Sequence, residues 1–269
     1  MPARLHHERV VAANATPSRW MLLTHGIFGA GMNWRGIARK LVERRREWGI
    51  VLVDLRLHGR SEAGAPPHTV RACAEDVQAL AAQLGKVDVL AGHSFGGKVM
   101  GRARELVEVV QTWMLDATPS ARPELIDDPE NSVGRVLALL SRAPQRYAKR
   151  DDFIALVQAE GHDQGLAMWL AMNVVPDGSG QFVLKLDWRA LGEALVDYYN
   201  TDLWASLSDP ARGAVELAIA ERSPVWRAED RARLANAPPH IHVHSIDAGH
   251  LLHNEAPGPV LEMFVRSLP

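Results

Sequence analysis

The sequence is poor in the residues that would indicate a disulfide scaffold or a polyanion-binding surface. Its 269 residues include one cysteine, Cys73, which excludes an intramolecular disulfide and a zinc site built from several thiolates. Acidic side chains number 32 and basic ones 30, so the formal net charge is only -2. This balance gives no electrostatic reason to expect nucleic acid or an anionic membrane as a partner.

Long apolar runs are missing as well. No stretch approaches the ~20 apolar residues of a membrane-spanning helix, and the first residues lack the apolar segment of a secretory signal. The default expectation is a cytoplasmic protein, either monomer or dimer. Hydrophobic residues make up 47% of the chain and charged ones 23%, which is typical of a globule that buries a sizeable core.

Short apolar runs alternate with helical patterns in the first part of the chain. The predicted strands are Trp20–Thr24, Ile50–Leu55, Val87–Ala91 and Val110–Leu115. The predicted helices are Trp34–Trp48, Thr69–Leu84 and Gly97–Val110. Strands that alternate with helices pair in parallel through right-handed crossovers, so the pattern predicts an α/β fold with a mostly parallel sheet between helices.

The alternation stops after Asp116. Residues 118–210 are mostly helical in pattern, with a hairpin predicted over Val174–Leu186 around a turn at 177–180. The alternation then resumes with Val215–Ala220, Asp230–Leu234, Ile241–Ile246 and a terminal helix near Val260–Val265. We therefore expect one α/β core, residues 1–117 and 211–269, interrupted by a mainly helical cap, residues 118–210.

The strongest local motif is Gly92-His93-Ser94-Phe95-Gly96, which matches G-x-S-x-G where a strand ends and a helix begins. A nucleophilic serine on such a turn needs a strained backbone, and the glycines leave room for that path. The N–H groups of the following helix favour developing negative charge. The motif predicts Ser94 as a catalytic nucleophile.

A second motif, Thr24–Gly29, follows the first predicted strand with the sequence THGIFG. A loop of this kind can bring a backbone N–H to the reaction centre, where it would form an oxyanion hole with the N–H of Phe95. Ile27 is the predicted donor and Phe28 the alternative. His25 is interpreted as a structural histidine of the loop.

A third segment, Asp54–Ser61, follows the second predicted strand with the sequence DLRLHGRS. Charged residues in such loops commonly bond to nearby backbone. We interpret Asp54 and Arg56 as residues that shape the loop rather than as catalytic groups.

A serine needs a general base, and His250 follows the final predicted strand at the same sheet edge. His253, three residues further on, is the alternative. His240, His242 and His244 recur with period two on the last strand, which suggests a metal site. Three neighbouring strand positions suit tetrahedral ligation poorly, and no carboxylate is placed to complete such a site, so we predict no metal.

The acid of a triad has two candidate positions. Asp116 ends the strand Val110–Leu115, whereas the loop after Val215–Ala220 carries Ser223 where an acid is expected. The nearby alternatives are Glu221, Glu229 and Asp230. We favour Asp116 because the base must be oriented by a buried carboxylate.

These motifs resemble, in order and spacing over nearly the whole chain, the α/β-hydrolase superfamily. Within it the sequence is similar to the small capped serine esterases of the abhydrolase-domain type. The similarity lies in the His25–Gly29 loop, the Asp54–Ser61 loop, Gly92–Gly97 and Gly249-His250. The sequence departs from the commoner pattern at Ser223, where many members carry the acid.

The resemblance implies a cofactor-free carboxylesterase or thioesterase acting on small to medium acyl esters through Ser94, His250 and Asp116. Trp169, Phe182 and Tyr198 of the cap are predicted to contact the substrate. Fold does not set substrate, so several alternatives stay open: C–C bond hydrolysis, lactone opening, haloperoxidase-like activity, and ligand binding without catalysis.

Overall fold

The computed structural model describes all residues, 1–269, and contains a seven-stranded sheet. Its strands are β1 (His7–Val10), β2 (Arg19–Thr24), β3 (Trp48–Val53), β4 (Val89–His93), β5 (Gln111–Leu115), β9 (Ala214–Ala220) and β10 (Ile241–Ile246). Their order across the sheet is β1-β3-β2-β4-β5-β9-β10. All neighbours are parallel except β1, which pairs antiparallel with β3.

Strand β1 is absent from the sequence-based prediction. The strand is short, and three of its four residues, HERV, are polar, so no apolar run marks it. The strand lies at the edge of the sheet, where polar side chains are tolerated. The remaining parallel strands confirm the predicted α/β-hydrolase fold.

Helices cover both faces of the sheet. They are α1 (Arg35–Arg44), α2 (Val70–Leu84), α3 (Phe95–Ala103), α9 (Ala228–Leu234), α10 (Leu252–Glu255) and α11 (Pro257–Ser267). Met21 and Leu23 of β2 pack with α1 and α11, while Leu22 between them packs with α2 and α3 on the opposite face. Cys73 lies in α2 and is buried in the same apolar cluster as Leu22. Each fully buried large apolar side chain contributes roughly 1.5–3 kcal/mol.

Two helix boundaries differ from the prediction. The helix predicted over Trp34–Trp48 ends at Arg44, and Trp48 begins β3 as a fully buried strand residue. The helix predicted over Gly97–Val110 begins at Phe95 and ends at Ala103. It starts earlier because Ser94, with φ of 52°, already turns the chain into the helix.

Much of the chain between β5 and β9 packs into one further apolar cluster, while Leu195 and Tyr198 pack in the cluster of α2 and α3. This segment contains α4 (Ser132–Arg142), α5 (Arg150–Ala159), α6 (Gln164–Ala171), α7 (Trp188–Asn200) and α8 (Trp204–Leu207). A small sheet has the order β6-β8-β7, with β6 (Arg146–Tyr147), β7 (Val174–Pro176) and β8 (Phe182–Leu184). Strands β7 and β8 form the predicted hairpin, although the pairing of β6 was not predicted. No helix of the chain combines the length and apolar content that crossing a bilayer requires.

Candidate active site

Ser94 occupies a tight turn between β4 and α3. Its φ of 52° is costly for a residue with a Cβ. A Cβ on Gly92 would lie 2.1 Å from the carbonyl oxygen of Gly96, and one on Gly96 would lie 2.3 Å from that of His25. The two glycines of the motif are therefore required by close backbone approach, as the sequence predicts.

A continuous chain of hydrogen bonds connects Ser94, His250 and Asp116. The Ser94 hydroxyl lies 2.9 Å from Nε2 of His250, and Nδ1 of His250 lies 2.7 Å from Oδ2 of Asp116. The Asp116 carboxylate is fully buried, while the His250 side chain is 37% exposed. This order of groups can accept a proton from the serine and stabilise the resulting imidazolium.

The backbone around Asp116 explains why its carboxylate reaches His250. Asp116 has φ of 45°, and its N–H donates to the carbonyl of Ala218 on β9 at 2.7 Å. Its second oxygen, Oδ1, accepts from the Ala220 N–H at 3.2 Å. Both contacts come from the adjacent strand, so β9 orients the carboxylate that β5 supplies.

The alternative acids are engaged elsewhere. Asp230 is buried and accepts a hydrogen bond from the Ser120 hydroxyl. Glu221 is exposed and lies 3.7 Å from Arg231, and Glu229 is also exposed. The Ser223 hydroxyl is 3.3 Å from the N–H of Val225. None of these four side chains bonds to His250.

The backbone N–H groups of Ile27 and Phe95, near Ser94, have no acceptor within the protein. The N–H of Phe28, the alternative donor, is already bonded to Nε2 of His58 at 3.1 Å. Ile27 and Phe95 also line the same cavity as Ser94. The two free donors can stabilise a developing oxyanion beside Ser94.

His253, the alternative base, lies in a buried aromatic cluster. Its ring packs against Trp34, with centroids 4.7 Å apart, and against Trp169 at 5.5 Å. Burial, reinforced by nearby His250, lowers the pKa of His253 to about 4. His93, within the G-x-S-x-G motif, donates from Nε2 to the His250 carbonyl at 2.8 Å. His253 therefore packs beside the site, while His93 supports the backbone of the His250 loop.

A cavity of about 380 Å³ opens onto Ser94 and His250. Its apolar wall includes Ile27, Leu125, Val133, Leu195, Tyr198, Tyr199 and Val225, and its polar side includes Arg122, Asp128, Glu130 and Asn131. Of the three cap residues predicted to contact substrate, only Tyr198 lines this cavity. Trp169 belongs to the core of the cap, and Phe182 packs beneath the guanidinium of Arg150.

Lys98 is a buried residue to which the sequence analysis assigned no role. Its ammonium group donates to the carbonyls of Ser120, Tyr198 and Thr201 at 2.8–2.9 Å. Burial lowers its pKa to about 7. Lys98 thus connects α3, the helix that follows Ser94, to residues near both ends of the segment between β5 and β9. The only sequence signal is its position directly after the Gly96-Gly97 pair.

The histidines on β10 make contacts that the sequence did not predict. Glu216 of β9 lies opposite His242, and its carboxylate accepts from His242 Nδ1 at 2.8 Å and from His244 Nε2 at 2.6 Å. The expectation that no carboxylate lies beside these histidines was wrong, because strand pairing brings Glu216 there from another part of the chain. His240 bonds instead to the carbonyl of Leu207.

Comparison with known proteins decides the family. A sequence model described as the alpha/beta hydrolase family matches residues 21–263. The chain belongs to the alpha/beta hydrolase family. This hydrolase is 27% identical over 251 residues to sn-1-specific diacylglycerol lipase ABHD11 of Mus musculus, covering 88% of this chain and 76% of that protein.

Two further similarities extend over almost the whole hydrolase. Esterase YbfF of Escherichia coli (strain K12) is 27% identical over 271 residues, covering 98% of this chain and 99% of that protein. A solved marine microorganism esterase superposes with a TM-score of 0.84, at 20% identity, over 99% of this chain and 100% of that chain. The family match and both similarities thus cover nearly the whole chain of this alpha/beta hydrolase.

Proposed function

We propose that this hydrolase cleaves small to medium carboxylic or thiocarboxylic esters through a Ser94-His250-Asp116 triad and an acyl-enzyme. The observation that carries the proposal is the hydrogen-bond chain from Ser94 Oγ to His250 Nε2, 2.9 Å, and from His250 Nδ1 to Asp116 Oδ2, 2.7 Å. It supports a serine that is activated by a base and a base that is oriented by a buried carboxylate.

In the acylation step, Ser94 Oγ attacks the ester carbonyl while His250 Nε2 takes the hydroxyl proton. Asp116 stabilises the imidazolium by accepting from Nδ1. The N–H groups of Ile27 and Phe95 hold the negative oxygen of the tetrahedral intermediate, and one such donor is worth roughly 3–4 kcal/mol. The intermediate collapses when His250 returns the proton to the leaving alcohol or thiol.

In the deacylation step, a water molecule takes the place of the leaving group. His250 removes its proton as it attacks the acyl carbonyl, and the same two N–H groups stabilise the second tetrahedral intermediate. Proton return to Ser94 Oγ releases the carboxylic acid and restores the enzyme. Apart from the substrate and this water molecule, the steps described use side chains and backbone groups of this chain.

The volume of the cavity supports the proposed size of the substrate. At about 380 Å³ it lies near the lower end of the roughly 300–1,000 Å³ range of small-molecule sites. Its apolar wall, formed in part by Leu195, Val133 and Tyr198, suits a short acyl chain. The names of the relatives, an esterase and a diacylglycerol lipase, agree with an ester bond as the target.

The test is hydrolysis of p-nitrophenyl acetate, butyrate, octanoate and palmitate by the wild type, Ser94→Ala and Ser141→Ala. Ser141 lies exposed on α4, away from the cavity lining, and serves as the matched serine control. We expect activity in the wild type and Ser141→Ala, highest on the shorter esters, and none above background in Ser94→Ala. Equal rates in the wild type and Ser94→Ala would contradict the proposal, and a preference for palmitate would contradict the substrate size.

A further inference from the structure

Two loops lie side by side, and one of them contains Ile27. Each loop carries a buried histidine that accepts a hydrogen bond from the backbone of the other loop. The first loop is residues 25–31, after β2, and the second loop is residues 54–61, after β3. His25 of the first loop accepts at Nε2 from the Leu55 N–H at 3.1 Å. His58 of the second loop accepts at Nε2 from the Phe28 N–H at 3.1 Å. The two rings contact each other, with centroids 4.8 Å apart.

The partners of each ring fix its protonation state. His25 Nδ1 lies 2.7 Å from the carbonyl of Gly26, and His58 Nδ1 lies 2.8 Å from that of Arg56. A carbonyl can only accept, so each Nδ1 carries the proton, and each Nε2 is the bare nitrogen that an amide N–H needs. Burial lowers the pKa of His25 to about 4. Burial, with the neighbouring His25 ring, lowers that of His58 to about 3.

The second loop therefore accepts hydrogen bonds from two amides of the first loop that follow the candidate oxyanion donor, those of Phe28 and Gly31. Phe28 has a φ of 64°, and its N–H is turned towards His58. The Gly31 N–H donates to Asp54 Oδ1 at 2.7 Å. Ile27, directly before Phe28, keeps an N–H without any acceptor in the protein. The peptide planes that carry the Ile27 and Phe28 N–H groups meet at the Ile27 Cα, so fixing the Phe28 plane leaves only the φ and ψ rotations of Ile27 to direct its own N–H.

We propose that His58 is a positioning residue that holds the Phe28 N–H so that the Ile27 N–H points to the oxyanion, and that His25 fixes the second loop reciprocally. The inference rests on the proposed function, since it takes Ile27 as an oxyanion donor. A hydrogen bond from one loop to the other in each direction keeps the pair in register, and loss of either acceptor leaves a buried amide unpaired.

The first test compares His58→Gln with His58→Leu. Glutamine can present its amide oxygen near the position of Nε2, whereas leucine fills similar space without an acceptor. We expect His58→Leu to lower kcat on p-nitrophenyl butyrate by about 10²-fold with KM changed less than about threefold. His58→Gln should keep kcat within about tenfold of the wild type.

Butaneboronic acid adds a readout that a merely structural role would not move. The serine oxygen adds to boron while His250 takes the hydroxyl proton, and the tetrahedral boronate anion places one of its hydroxyl oxygens in the oxyanion site, as in the tetrahedral intermediate. Its inhibition constant should therefore rise in proportion to the loss in kcat/KM across the His58 variants. Thermal unfolding midpoints control for folding, and if His58→Leu does not fold, His58→Asn replaces it, because its shorter amide does not reach the Nε2 position.

A double-mutant cycle tests whether His58 acts through Ile27. Ile27→Pro removes the N–H, and in that background His58→Leu should cost less than about threefold in kcat. Independent costs that multiply would overturn the proposal, as would equal kcat in His58→Leu and the wild type, or equal losses in His58→Leu and His58→Gln.

Nitrogen NMR of the imidazole rings provides a readout independent of activity. At neutral pH both His25 and His58 should carry the proton on Nδ1, and a proton on Nε2 of either ring would overturn the proposal. If the wild type hydrolyses no ester, or Ser94→Ala is as active as the wild type, the proposed function fails. The NMR result still reports separately on the paired histidines.

Discussion

Two adjacent strands of this hydrolase each carry a buried carboxylate bonded to histidine, and only one of the two pairs reaches a serine. Asp116, just past the end of β5, bonds to His250, which bonds in turn to Ser94. Glu216, within β9, bonds to His242 and His244 on β10. Both residues are at most 2% exposed.

The difference lies in position along the strands. Asp116 stands at the carboxyl ends of the parallel strands, where the turns after β2, β4 and β10 also converge, and this edge is where α/β folds place their ligands. Glu216 pairs with Trp113 inside β5 and with His242 near the start of β10, away from that edge. Under the proposed mechanism, a buried carboxylate–histidine pair serves catalysis only where the sheet brings it to a serine.

The largest expected effect is that of Asp116→Asn. The amide cannot stabilise an imidazolium and favours the wrong tautomer of His250, so kcat on p-nitrophenyl butyrate should fall by about 10⁴-fold. Asparagine tolerates the φ of 45° at this position, so the fold should persist. Steady-state kinetics and a circular dichroism spectrum measure both. A loss of less than about tenfold would show that another group orients His250.

The next largest effect is expected when a carboxylate placed after β9 replaces that of Asp116. The loop after β9 is tied to the segment before His250, since the Arg222 N–H donates to the Ala248 carbonyl at 3.0 Å. In an Asp116→Asn background, Ser223→Asp should therefore raise kcat by roughly tenfold or more relative to Asp116→Asn alone. Ser223→Asn in the same background is the uncharged control. If Ser223→Asp does not raise kcat in the Asp116→Asn background, only a carboxylate after β5 can orient His250.

Glu216→Gln should affect stability and spare activity. The substitution replaces an acceptor of two histidine bonds with a group that donates on one side, which should lower the free energy of unfolding by about 1–3 kcal/mol. We expect kcat within about threefold of the wild type, as determined in parallel with urea unfolding. A large loss of kcat at unchanged stability would contradict the contrast between the two carboxylates.

The same variant has a defined pH dependence. Burial alone would raise the pKa of Glu216, but the hydrogen bonds from His244, His242 and Gln111 outweigh burial and hold it below its ordinary value of 4.5. The folded state thus binds this proton less readily than the unfolded state, and the stabilisation is present above that ordinary value and lost as pH falls through the lowered pKa. The stability gap between the wild type and Glu216→Gln should therefore narrow on acidification below about pH 4.5.

The smallest effect is expected for Asp230→Asn. Asp230 accepts from the Ser120 hydroxyl, a role that an asparagine oxygen can keep. Activity should remain within about threefold of the wild type in the same ester assay. A loss of several orders of magnitude would reverse the choice of acid.

The sequence could predict the site residues that belong to a local motif. Ser94, the glycines around it and His250 follow directly from strand ends, and the structure places Ser94 and His250 in contact. Asp116 could be ranked above its alternatives only by its place after a strand. The bonds from Ala218 and Ala220 that orient it belong to another part of the chain.

Contacts between distant segments explain what the sequence missed. The reciprocal bonds of His25 and His58 and the pairing of Glu216 with β10 depend on how loops and strands align in three dimensions. Strand β1 was not predicted because it has only four residues, three of which are polar. Trp169 and Phe182 were predicted as substrate contacts from aromatic character, which does not separate a cap's own core from a cavity wall.

Covalent labelling determines whether Ser94 is an activated nucleophile. Treatment with a fluorophosphonate, followed by intact mass and peptide mapping, should place one adduct per chain on Ser94. Labelling should be absent in Ser94→Ala and much slower in Asp116→Asn. If the wild type does not label, or if an adduct forms on another residue and persists in Ser94→Ala, Ser94 is not the activated nucleophile.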